Sequence, residues 1–317
     1  MELRNRIRII QNSLRETPVV KLDFEPINLF AKLEFYNPIG SVKDRPAFWI
    51  LKRAEERGDI NGHSTLIESS SGNFANAMAA YCRLLGLKFI PVIDPNINAS
   101  YESTLRQLCD TVVKVEQRDD TGGFLKTRLA KVHELLGSIP HSFWPNQYGN
   151  PDAMEAHYRM TGGEICSAFS QLDYIFLGVS TAGTISGVSQ RLKEKFPSVQ
   201  VIAVDTVGSI IFGGPPKKRH IPGIGSSILP DLLKHALIDD VVMVPELDAV
   251  EACQELLDRY GLFVGGSSGS AYAAVKRYVP RMTVGRKVPN VLFLCADRGT
   301  AYLNTIFSPD WSTRLAA

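Results

Sequence analysis

The stretch that decides the fold begins Thr65-Leu66-Ile67-Glu68-Ser69-Ser70-Ser71-Gly72-Asn73-Phe74 and continues to Leu85 through residues rich in Ala, Met and Leu. Residues 65–68 read as a short strand and 74–85 as a helix, which makes SSSGN the turn between them. The same alternation runs outward from there. Residues 88–93 read as a strand ending at Asp94-Pro95, 100–109 as a helix, 111–116 as a strand, and 124–136 as a helix with apolar residues three and four apart. Later, 174–179, 201–205 and 291–295 read as strands and 185–196 as a helix. Strands separated by helices pair in parallel through right-handed crossovers, so the chain is predicted to be α/β with buried sheets. No internal repeat suggests a solenoid.

Composition narrows the function. At 317 residues the chain holds about two domains of roughly 150 residues each. Hydrophobic residues are 44% and charged residues 21%, a globular balance that excludes disordered and fibrous classes. Lys plus Arg is 35 against 33 for Asp plus Glu, so there is no basic footprint for nucleic acid or an anionic membrane. A small-molecule partner is expected instead. Cys82, Cys109, Cys166, Cys253 and Cys295 are scattered without paired spacing, which points to reduced thiols and no metal site. The start, Met1-Glu2-Leu3-Arg4-Asn5, lacks an apolar leader and no apolar run is long enough for a bilayer, so a cytoplasmic location is expected. No Pro/Ser-rich linker marks a boundary, which suggests two closely packed domains.

Four loops carry residue types suited to chemistry. In Gly40-Ser41-Val42-Lys43-Asp44-Arg45-Pro46-Ala47, Asp44 and Pro46 suit a helix start and place Lys43 at its entrance. Taken alone that lysine is an ordinary surface residue. The SSSGN turn offers hydroxyls and free N–H groups to a carboxylate, although an isolated cluster of this kind is usually a helix cap. Ser180-Thr181-Ala182-Gly183-Thr184 follows a strand and opens a helix, and its small residues suit one phosphate monoester. It is neither a Walker loop nor the GxGxxG dinucleotide fingerprint. Gly265-Gly266-Ser267-Ser268-Gly269-Ser270 repeats that character, with close helix–strand packing as the plainer reading.

Together, GSVKDRPA, SSSGN, NQYGNP, HYRMTGGEI, STAGT, IPGIG and GGSSGS, in this order, resemble the pyridoxal-phosphate-dependent cysteine synthase family of fold type II. The likeness extends from Thr17-Pro18 to Asp297-Arg298-Gly299. It implies a two-domain, tryptophan synthase β-like fold, each domain a mostly parallel twisted sheet flanked by helices. The large, phosphate-binding domain would take residues 1–37 and 149–317, and the small mobile domain 38–148. The resemblance implies pyridoxal 5′-phosphate held covalently by Lys43, with Asn73 at its 3′ oxygen, Ser180, Thr181, Ala182, Gly183 and Thr184 at its phosphate, and Ser267 at its ring nitrogen. The substrate carboxylate would meet Ser70, Ser71, Gly72, Asn73 and Gln147, and Gly223 in IPGIG (221–225) would line the mouth. The reaction implied is β-replacement through an aminoacrylate, with Lys43 moving the α-proton. A homodimer is implied as well. A neutral serine opposite the ring nitrogen stabilises negative charge at Cα less than an Asp would, which favours prompt loss of the β-substituent.

Departures from the sulfide-using pattern bear on the substrates. STAGT replaces the usual GTGGT, and Gln147-Tyr148 replaces QF. Both add hydroxyl groups, and Arg128 on the 124–136 helix adds a guanidinium, which suits a phosphate leaving group better than an acetyl ester. The expected first substrate is O-phospho-L-serine, with Arg128, Tyr148 and Ser180 discriminating. GSIIFG (208–213) and ADRGTAYL (296–303) are similar to the branch of the family that uses L-glutamate as an amine nucleophile to make a diaminopropionate precursor for siderophore biosynthesis. Rival readings are a cysteine synthase using sulfide, a cystathionine β-synthase-like enzyme, an ammonia-using enzyme, and a silent cofactor-binding regulatory partner. Lys217-Lys218-Arg219-His220 could greet a dicarboxylate or simply be solvated, and His157 reads as helix packing.

Overall fold

A computed structural model of the chain describes residues 2–120, 122–282 and 288–316. In chain order the elements open with α1 (Leu3–Ser13), β1 (Val19–Leu22), β2 (Asn28–Leu33), α2 (Asp44–Arg57), β3 (Thr65–Ser69), α3 (Asn73–Leu85), β4 (Lys88–Ile93) and α4 (Ala99–Leu108). They continue with β5 (Val113–Lys114), α5 (Leu125–Ser138), β6 (Ser142–Phe143), α6 (Pro151–Ala156) and, after one π-helical turn (His157–Thr161), α7 (Gly162–Ala168). The remainder is β7 (Tyr174–Gly178), α8 (Gly183–Lys195), β8 (Gln200–Thr206), β9 (Asp240–Val244), α9 (Glu246–Tyr260), α10 (Gly266–Tyr278), β10 (Asn290–Cys295) and α11 (Pro309–Ala316). The chain folds as two compact units: residues 1–15 with 37–153, and 16–36 with 154–317.

The first unit is built on a four-stranded parallel sheet in the order β5-β4-β3-β6. All five residues of β3 are buried, as expected for a parallel strand covered on both faces. Ile67, Val92, Val115, Phe124 and Val132 pack one face of that sheet. The sequence reading assigned α1 to the large domain, but Ile7 and Ile10 are buried and α1 packs on α2 and α3. The strand expected over 111–116 shortens to Val113–Lys114, because β5 is an edge with only β4 to pair with.

The second unit carries a six-stranded sheet, β1-β2-β10-β7-β8-β9, parallel except for the antiparallel β1–β2 pair. β8 and β10 are buried almost throughout, and α9 and α10 pack together on the same core. A buried charge, Lys32, is satisfied by the carbonyl of Thr17 at 2.6 Å and by Glu164 Oε2 at 2.5 Å. The strand–helix alternation expected from the sequence is present. What the alternation does not mark is β1, β2, β6 and β9.

Candidate active site

In the first unit the SSSGN turn sits at the carboxyl end of β3, where parallel sheets present their loops. The N–H groups in the first turn of α3 have no intrahelical acceptor, so this turn is an electropositive seat. Ser70 is buried and its hydroxyl oxygen accepts the N–H of Ala75 at 3.2 Å. Gly72 caps α3, and a Cβ built on it would meet nothing within 4 Å, so the backbone there is open to a ligand. Asn73 opens α3, and its Oδ1 accepts the hydroxyl of Tyr101 at 2.6 Å, which turns the amide nitrogen the other way. Lys43 is the half-buried cap of α2, its own N–H donated to Ser41 Oγ at 3.2 Å.

The loop after β6 is tied to the same turn. Buried Gln147 donates its backbone N–H to Glu68 Oε2 and its Nε2 to the carbonyl of Ser69, both at 3.3 Å. Tyr148 follows, half-buried. Glu68 also accepts the N–H of Ser69 at 2.8 Å and the indole N–H of Trp144 at 3.3 Å. Burial pushes its carboxyl up to about 7, against the opposing pull of those donors and of Arg128. Arg128 on α5 is no solvated surface residue. Nη1 donates to Ser71 Oγ at 2.8 Å, and Nε pairs with Asp94 Oδ2 at 3.2 Å.

In the second unit, residues 180–184 join β7 to α8. Ala182 takes a left-handed conformation (φ 63°) as the cap of α8, so the chain turns sharply and aims the first N–H groups of the helix outward. Thr181 and Ala182 are buried, and no hydrogen-bond partner holds the Thr181 hydroxyl among the described residues. Ser180 donates to the carbonyl of Gly225 at 3.1 Å, and the N–H of Gly225 returns to Val179 at 2.7 Å, which seats IPGIG against the end of β7. Gly223 lies in that loop at φ 85°, exposed. The His220 and Ile221 N–H groups both reach Glu246 Oε1 at 2.6 Å, and Arg219 bonds the Ile224 carbonyl at 3.2 Å. Of the basic quartet, Arg219 is half-buried, while Lys217, Lys218 and His220 are exposed. Ser267, near the start of α10, is 8% exposed, and its hydroxyl has no hydrogen-bond partner among the described residues. It lies beside the end of β7, where a Cβ on Gly178 would sit 3.8 Å from its own Cβ.

Five residues around these loops escape a sequence reading: Glu68, Asp94, Tyr101, Trp144 and, as a partner of the cradle, His157. His157 is buried and bridges Thr161 Oγ1 (3.0 Å) and Thr184 Oγ1 (3.2 Å). Glu68 did leave a signal, a lone acid at the end of an otherwise apolar strand. The five cysteines are all buried, and burial raises each thiol, Cys109 to about 12, which argues against a cysteine nucleophile.

The family model described as pyridoxal-phosphate dependent enzyme matches residues 10–296. The chain belongs to that family. It is 43% identical over 306 residues to the N-(2-amino-2-carboxyethyl)-L-glutamate synthase of Ralstonia nicotianae, covering 95% of this chain and 90% of that one. It is 42% identical to the protein of the same name from Cupriavidus metallidurans, covering 97% and 92%. Among solved structures, the O-acetylserine dependent cystathionine beta-synthase from Helicobacter pylori superposes with a TM-score of 0.86 at 30% identity, covering 93% of this chain and 97% of that one. The protein is therefore a fold type II enzyme of the β-replacement class that uses pyridoxal phosphate. Its residues fit that group: the outward helix start at 180–184 suits a phosphate, and Ser267 offers an unengaged hydroxyl. Among the described residues no helix is long and apolar enough to cross a membrane.

Proposed function

We propose that the protein replaces the phosphate of O-phospho-L-serine with the amine of L-glutamate, giving N-(2-amino-2-carboxyethyl)-L-glutamate and inorganic phosphate. The observation that carries the reading is Arg128, a nearly buried guanidinium bonded to the hydroxyl of Ser71 inside the SSSGN turn. A cation there suits a doubly charged leaving group and has no counterpart in the needs of a neutral acetyl ester. The names of the two relatives support glutamate as the nucleophile.

In this reading Lys43 holds the cofactor, Asn73 its 3′ oxygen, Ser180 to Thr184 its phosphate, and Ser267 its ring nitrogen. Pyridoxal phosphate supplies an electron sink at the substrate's Cα. The chain does the rest. The N–H groups at 70–73, with Gln147, would hold the α-carboxylate, and Lys43 would take the α-proton. Arg128 and Tyr148 would hold the phosphate as the Cβ–O bond breaks. A Cβ–N bond then forms, Lys43 would return a proton to Cα, and the proton the amine gives up balances the one that phosphate takes away. Ser180 would have to turn its hydroxyl from Gly225 to reach a ligand. We also propose that the unit of residues 1–15 with 37–153 is the small domain of the family and the unit of 16–36 with 154–317 the large one, together with a homodimer and a cytoplasmic setting.

Mass spectrometry of products formed from O-phospho-L-serine with glutamate, sulfide or ammonia tests the nucleophile; cysteine as the dominant product would replace this reading with a sulfide-using one. Lys43→Ala should abolish turnover. Arg128→Ala should lower kcat/KM for O-phospho-L-serine about 100-fold, the order of a lost charged hydrogen-bond pair. Tyr148→Phe and Ser180→Gly should lose less. An unchanged preference for phosphoserine over acetylserine in all three variants would rule out their part in recognition.

A further inference from the structure

Asp94 directly follows β4 and is 5% exposed. Each of its carboxylate oxygens has a separate task. Oδ1 accepts the N–H of Asn96 at 2.8 Å, which locks the side chain onto its own turn. Oδ2 accepts the hydroxyl of Ser71 at 3.1 Å and lies 3.2 Å from Arg128 Nε. Arg128 Nη1 donates back to Ser71 at 2.8 Å, which closes a ring of three side chains. A guanidinium has five N–H donors in a rigid fork. Here Nε is ion-paired with Asp94 at 3.2 Å without hydrogen-bond geometry, and one N–H of Nη1 goes to Ser71. The remaining donors, on Nη1 and Nη2, have no partner among the described residues.

We propose that Asp94 is a positioning residue that sets which edge of the Arg128 fork stays open to the leaving-group phosphate of the first substrate. The inference rests on the reading of Arg128 as the contact of that phosphate. Asp94 offsets the charge of Arg128 at a distance, so the pair adds orientation to the contact attraction between the guanidinium and a phosphate. Orientation is what a bidentate contact to a phosphate requires, because both N–H groups must point at it together. Ser71 is held by the same ring: its proton goes to Asp94, so its hydroxyl is not a donor to the substrate carboxylate. That carboxylate is left to the backbone N–H groups of the turn.

Asp94→Asn tests the idea with little change in volume. If its carbonyl keeps the contact to Asn96, its Nδ2 faces Ser71 and Arg128 Nε, donor against donor. In the holoenzyme, binding of O-phospho-L-serine and of L-serine is read from the cofactor absorbance. The two share the amino-acid end and differ in the phosphate. Expected is about a tenfold weaker affinity for O-phospho-L-serine with L-serine held within about twofold, and a kcat/KM loss carried by KM. In an Arg128→Ala background, Asp94→Asn should cause no further loss. Asp94→Glu, which keeps the charge but moves it by one methylene, should show the same selective loss and serves if the amide variant does not fold. Equal losses on both ligands would mean a structural role and overturn the proposal, as would an unchanged or tighter grip on O-phospho-L-serine. If Arg128→Ala leaves phosphoserine binding intact, the assignment of Arg128 and this inference fall together. If Arg128→Ala weakens phosphoserine alone and Asp94→Asn does not, only the inference falls.

Discussion

Glu68 is the residue whose chemistry departs furthest from its type. Its carboxyl accepts N–H groups from Ser69, Gln147 and Trp144 while completely shielded from water. Desolvation outweighs those donors and lifts the group from its ordinary 4.5 to about 7. A proton is therefore bound more tightly in the folded state than in the unfolded chain. The contribution favours folding fully below pH 4.5 and is lost as the pH rises through 7; the gap corresponds to roughly 3 kcal/mol. The stability of wild type relative to Glu68→Gln should thus fall between pH 5 and pH 8 in urea titrations. A difference that stays flat or grows with pH would contradict the burial argument. Tyr101 acts at the same scale. Tyr101→Phe removes one hydrogen bond that orients the Asn73 amide, and, with Asn73 proposed at the cofactor, pyridoxal phosphate should bind several-fold more weakly in a spectrophotometric titration, within the usual worth of one hydrogen bond.

Elements meet at glycines chosen for space. On α10, a Cβ at Gly269 would come within 2.4 Å of both the Ala249 carbonyl and Cys253 Sγ on α9. On α8, a Cβ at Gly187 would lie 2.2 Å from the Met154 carbonyl. Backbone atoms cannot yield as a flexible side-chain tip can, so the helices must separate. Gly269→Ala should cost about 1–3 kcal/mol in chemical denaturation, as overpacking does. Gly137 on α5 meets nothing within 4 Å, and Gly137→Ala should instead add a few tenths to about 1 kcal/mol through helix propensity. Equal effects at both sites would mean that packing is not what retains glycine on α10. In the sequence, GGSSGS suggests close packing of a helix on a strand, whereas Gly269 meets a helix. That α9 is the neighbour follows only from the folded chain.

At the scale of the whole molecule, the chain passes between its two units at 15/16, 36/37 and 153/154, and each unit carries its own mostly or wholly parallel sheet and its own share of the cysteines. All five thiols are buried. The native protein should therefore react with a thiol reagent at far fewer than five sites on the minutes scale, and at five once unfolded; rapid native labelling of all five would contradict this core. By itself the sequence determined the alternation of strand and helix, the positions of the loops, and, through motif order, the family. These are legible because hydrophobic period, glycine and capping residues act over a few neighbours. The placement of α1 on α2 and α3, the short edge strand β5, the clamp of Glu68 on the 144–147 loop and the Asp94–Arg128–Ser71 ring were decided by tertiary structure. Asp94 and Arg128 are 34 positions apart. Such contacts depend on which loops a parallel sheet gathers at its carboxyl edge, and nothing in the local pattern of either residue records the other.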